Sequence, residues 1–144
     1  MDELTKTRMR KTRDEQLARA MAHSAVAPGK FLEAWLKGVK VVGEAYFEHK
    51  APLYDPTITP AASLAEVTNK WQVKANWAFV ENAIGVLSHG EAALLAVMCS
   101  FFNAEWGGEL MQGLGLRGMA DVAGKLDLEE REIVAALLLY YEGW

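Results

Sequence analysis

The chain has a single cysteine, Cys99, so no internal disulfide can form and there is no CxxC metal or redox pair. A reducing compartment suits such a chain. Long apolar runs are missing too. The longest, residues 92–102, falls well short of the ~20 residues that cross a bilayer, so no membrane contact is expected. Charge begins at Asp2 and Glu3 with no apolar stretch beside it, which argues against a secretory leader and for a cytoplasmic location.

Chemistry-bearing constellations are equally sparse. The three histidines, His23, His49 and His89, are far apart in sequence, and none has a His or Cys at helical metal-site spacing. Gly113-Leu114-Gly115 follows no strand and lacks the GxGxxG and GxxxxGK[ST] forms, so it reads as a bend and not as a phosphate cradle. Cys99 sits in an apolar run where a small buried hydrophobe is expected in place of a nucleophile. Glu81, Glu91, Glu105 and Glu109 are the acids set in apolar surroundings. Of these, Glu105 and Glu109 are one turn apart, but an acid/base dyad needs an enclosing cleft, and the histidine that metal-binding bundles place three residues after an acid is absent. No catalytic, cofactor-binding or metal-ligating residue is therefore assigned, and the chain is read as a non-enzyme without cofactor. Alternation at period two is nowhere sustained and no long repeat is present, which excludes a substantial sheet and a solenoid.

What is abundant is apolar side chain: 51% of 144 residues before 12 glycines are counted, with five tryptophans. One domain of this length buries one core. The surplus points to a covered surface, because bulky rings concentrate where protein faces meet. The net charge of −4 is unevenly spread. Residues 1–50 hold ten Lys/Arg against seven Asp/Glu, and residues 51–144 five against twelve.

Residues 1–13 carry few apolar groups and five cations, Lys6, Arg8, Arg10, Lys11 and Arg13. They read as a flexible basic arm that becomes helical toward Asp14–Ala25, ahead of a helical domain over 14–144. Pro28 suits the first turn of a new helix, and Phe31, Leu32, Trp35, Leu36, Val39, Val42, Tyr46 and Phe47 then recur at three-to-four spacing. Three prolines make 50–62 an extended connector. Ser63-Leu64-Ala65-Glu66 has the form of a capping box and predicts a helix to about Leu87, apolar on two sides. Ser88-His89-Gly90-Glu91 predicts another start, and residues 92–102 form a buried central helix ended by Gly107-Gly108. After a bend at 112–118, a short helix over 119–126 and a capping pattern at Asp127–Glu130 open the last helix, with Trp144 packed.

The expected fold is all-α: a compact single-domain bundle of five to seven helices with a charged N-terminal arm. The pair of helices at 119–137 imitates a helix-turn-helix, but its second helix starts Glu129-Glu130-Arg131-Glu132 and would be repelled by phosphates. The leading expectation is a non-enzymatic protein-interaction module, an adaptor, inhibitor or structural subunit that binds another protein or itself as a homo-oligomer. The alternative is an accessory subunit that touches nucleic-acid phosphates through the five cations of the arm. Those same cations could instead dock on the acidic half of a neighbouring subunit.

Overall fold

The computed structural model describes residues 1–49 and 57–144. The connector's first half, 50–56, lies outside the described residues. Six α-helices are described: α1 (Glu3–Val42), α2 (Trp77–Ala83), α3 (His89–Phe102), α4 (Ala104–Gly113), α5 (Met119–Lys125) and α6 (Leu128–Tyr140). Two short strands, β1 (Phe47–Glu48) and β2 (Lys74–Ala75), pair antiparallel with Phe47 opposite Ala75. The fold is mostly α, as its apolar spacing dictates.

The core forms around α3. Ala92 through Cys99 are all buried, so this helix touches protein on every side. It packs against α1, α4, α5 and α6. Its N-terminus is capped as its sequence implies: the Ser88 hydroxyl accepts from the Glu91 amide at 3.2 Å and donates to the Glu91 carboxylate at 2.5 Å. α6 opens with a complete capping box. Asp127 Oδ1 accepts the Glu130 amide at 2.8 Å, and Glu130 Oε1 accepts the Asp127 amide at 2.9 Å.

Three expectations are corrected. First, α3 does not end at Gly107-Gly108. Asn103 ends it and caps α4 through the Trp106 amide at 2.9 Å. Gly107 lies inside α4, where a Cβ would collide with the Ser100 backbone and come within 2.6 Å of the Cys99 carbonyl carbon. The glycine serves a close helix crossing and not a stop.

Second, the helix expected over 64–87 is broken into 3₁₀ turns at Leu64–Glu66, Lys70–Gln72 and Ile84–Val86, strand β2, and α2. Ser63 makes no side-chain cap. The capping box lies instead at Asn69 and Gln72, and Asn76 caps α2 by accepting the Phe79 amide at 3.2 Å. These asparagines offer the backbone local alternatives to a continuous helix. The two opposed apolar stripes are satisfied by winding the segment over the core, with Val73 and Ala75 buried on either side of Lys74.

Third, Pro28 does not start a helix, and the charged segment read as a flexible arm is helical from Glu3. α1 is continuous from Glu3 to Val42, through Pro28 and across the expected boundary at 13/14. Asp2 caps it by accepting the Thr5 amide at 2.7 Å, and Glu3 pairs with Lys6 at 2.9 Å. Proline removes one backbone bond, and tertiary anchors flank the gap. His23 stacks on Tyr140 with ring centroids 5.1 Å apart, the Ser24 hydroxyl donates to Glu142 at 2.8 Å, and Ala27 is wholly buried.

Candidate interaction surface

Forty helical residues span about 60 Å, longer than the bundle can cover. Residues 1–22 are exposed without exception, and burial begins only at His23 and Ala27. The N-terminal half of α1 therefore projects from the bundle. Its exposure on every side is unusual for a helix of this length, because propensity alone leaves an isolated helix marginal in water and packing normally supplies the rest.

The face that α1 buries lower down carries Phe31, Trp35, Gly38 and Val42. Followed upward at three-to-four spacing, the same face presents Ser24, Met21, Leu17, Arg13, Arg10 and Lys6. Leu17 is 60% and Met21 64% exposed. The stripe is apolar at its root and cationic toward its tip. The five cations singled out in the sequence are thus divided: Lys6, Arg10 and Arg13 lie on this face, and Arg8 and Lys11 on the opposite side. All five are exposed.

A second unpartnered stripe runs along α6. Its inner face buries Glu130, Ile133, Val134 and Leu137. On the outer face Leu128, Glu132, Ala135 and Leu139 are exposed, with Leu128 at 73% and Leu139 at 59%. Glu129 and Glu132 also border a groove of about 410 Å³ opposite Lys30 and Lys37. No ion pair closes across it, because both lysines turn to Glu33, at 3.7 and 3.6 Å. α6 thus offers apolar and acidic groups where α1 offers apolar and basic ones.

Other expected or excluded chemistry can be located. Arg131, the lone cation of the would-be recognition helix, donates to the carbonyls of Ala123 at 2.6 Å and Leu126 at 3.2 Å, so its guanidinium caps the end of α5. The histidines are scattered: His23 against Tyr140, His49 bonded to the Ala61 carbonyl at 3.0 Å, and His89 at the start of α3. No group of three His, Cys, Asp or Glu fit to hold a metal occurs among the described residues. Cys99 is fully buried, and burial pushes its thiol up to about 12.

Glu105 and Glu109 are both exposed on α4. Glu109 lines a shallow hollow with Glu81, whose Oε1 accepts the indole N–H of both Trp77 at 2.9 Å and Trp106 at 3.1 Å. Those two indoles stack with centroids 4.1 Å apart.

One cluster escaped sequence reasoning altogether. Trp144 is packed, as expected, within 4.8 Å of Trp35 and 5.3 Å of Phe102 between centroids. Together with Phe31, Trp71 and Tyr141 it surrounds Lys70. The residues around Lys70 come from three separate parts of the chain, so no local spacing could reveal them. The tryptophans do not gather in one surface patch: Trp35 and Trp106 are core residues, while Trp71 and Trp77 are partly exposed at separate places. No family model, curated protein or solved structure matches this chain, and no described helix is long and apolar enough to cross a membrane.

Proposed function

We propose that this protein is a non-enzymatic interaction module that assembles through the projecting half of α1, with the outer face of α6 on a second copy as its counterpart. The observation that carries the reading is the stripe Lys6, Arg10, Arg13, Leu17 and Met21, which continues a core-facing surface into solvent and is exposed along its whole length. Charge complementarity selects a second copy as the occupant. The α1 stripe is cationic and apolar, and the α6 stripe of Leu128, Glu132, Ala135 and Leu139 is acidic and apolar. Opposed potentials of this kind speed encounter and fix register, while the apolar groups supply affinity.

Covering a Leu or Met side chain contributes about 1.5–3 kcal/mol, so Leu17 and Met21 together account for roughly a hundredfold or more in association. Native mass spectrometry and light scattering test this. The wild-type chain is expected to form dimers or larger species, and the double variant Leu17→Glu, Met21→Glu to be monomeric with unchanged helical dichroism. A wild-type chain that stays monomeric, or a double variant that assembles as well as wild type, would refute the proposal. The nucleic-acid alternative draws on the same five cations. It requires salt-sensitive binding to DNA or RNA that is lost when all five become Gln. Their division over two faces, with Asp14 and Glu15 beside them, favours the protein partner.

A further inference from the structure

The turn that follows α6 folds back over the 3₁₀ turn at Lys70–Gln72 and closes a cleft of about 460 Å³. Lys70 Nζ stands in it with the ring centroids of Trp144 at 5.2 Å, Trp71 at 5.3 Å, Phe31 at 5.4 Å and Tyr141 at 5.9 Å. One of its N–H groups donates to the Gly143 carbonyl. Among the described residues no carboxylate answers its charge, since none of their ion pairs includes Lys70. Glu142 borders the same cleft, but its Oε1 is taken by the Ser24 hydroxyl at 2.8 Å.

Rings and one neutral carbonyl orient an ammonium without neutralising it. Ring faces attract a cation, but the charge remains partly desolvated and unpaired, a state that is unfavourable until an anion arrives. Burial accordingly holds the Lys70 amine below its ordinary 10.5. Among the described residues, two of the lysine's three donor positions have no protein partner.

We propose that this cleft is a binding site for a small apolar monocarboxylate, with the carboxylate on Lys70 Nζ and the hydrocarbon body against Trp71 and Trp144. A free cation is the wrong occupant, because it would have to displace an ammonium already tethered among the rings. A polyanion is also wrong, because Lys70 is the only cation among the described residues that line the cleft and Glu142 would oppose the additional charge. Trp71, which lines the cleft, is 41% exposed, and a hydrocarbon gains by covering such a ring.

Three eight-carbon probes separate the possibilities: octanoate, octanamide and octyltrimethylammonium, each titrated into the full-length protein while the indole N–H signals of Trp71 and Trp144 are followed by NMR. Octanoate is expected to shift both signals and to bind at least about tenfold more tightly than octanamide, the factor set by a charge-assisted hydrogen bond. Lys70→Met is expected to remove that preference and Lys70→Arg to keep it. Equal affinity for octanoate and octanamide, tighter binding of the ammonium probe, or no response to millimolar octanoate would each overturn the assignment. The wild-type comparison of probes decides the question even if a Lys70 variant folds poorly.

Discussion

Two adjacent glycines in α4 should respond oppositely to the same substitution. At Gly107 a Cβ would run into the backbone of Ser100 and approach the Cys99 carbonyl carbon to 2.6 Å, whereas at Gly108 nothing lies within 4 Å. Replacing a helical glycine by alanine contributes roughly 0.5–1 kcal/mol from backbone entropy, and Gly108→Ala should gain about that much. At Gly107 the same gain is opposed by overpacking, about 1–3 kcal/mol or more. The obstacle here is main chain, which cannot step aside as a flexible side chain can. Helices α3 and α4 must separate, and α3 has Ala92 to Cys99 packed on every side. Gly107→Ala should therefore lose on the order of 1–2 kcal/mol net, the difference between those two effects. Urea unfolding followed by far-ultraviolet dichroism measures both variants at constant m-value. A Gly107→Ala protein as stable as Gly108→Ala would show that the helices do not cross there and that the glycine is a terminator after all.

Further outcomes follow from the same geometry. Cys99, with its thiol pushed up to about 12 by burial, should react with a disulfide reagent only as fast as the whole domain unfolds, and stoichiometric labelling of the native protein would contradict the packing of α3. Asp127→Ala removes the side-chain acceptor of the α6 capping box, the Oδ1 that takes the Glu130 amide, and should lower stability by about 1 kcal/mol, with Asp127→Asn losing less; equal losses in urea titrations would deny the cap its role. Glu130, 5% exposed, has a raised pKa chiefly because burial disfavours its charge. The folded state thus holds that proton where the unfolded state has released it, so stability falls as pH rises from the ordinary 4.5 through the raised value. Glu130→Gln should flatten that part of the pH–stability profile relative to wild type, and parallel profiles would refute the assignment.

The legible parts of this fold were those in which local chemistry and tertiary packing agree. Asp127 and Glu130 start α6 as their spacing implies, Ser88 and Glu91 start α3, and the uninterrupted apolar run after them becomes the core helix. Where the two conflicted, packing prevailed. Pro28 reads as a break, yet contacts from Tyr140 and Glu142 hold the helix through it. Gly107 reads as a stop because glycine's freedom is visible in sequence and the Ser100 backbone against it is not. Residues 64–87 have the apolar spacing of a helix on two faces, but Asn69 and Asn76 divert the backbone so that both faces reach the core. The five cations of the candidate surface were visible as residues. Their division between two faces became visible only once the segment proved helical from Glu3, and the stripe on α6 emerged only with the identity of its buried side. The ring of aromatics around Lys70 is assembled from Phe31, Trp71, Tyr141 and Trp144, a purely tertiary arrangement.

The central claim is that residues 3–22 form a helix whose packing partner is another copy of the chain. Amide hydrogen exchange across those residues, measured over a wide range of protein concentration, tests it most directly, because a solvent-surrounded helical end frays readily on its own. Protection that climbs with concentration at residues 7–22, while the amides of α3 stay constant, is the predicted result. Protection that is equally weak at every concentration would contradict it.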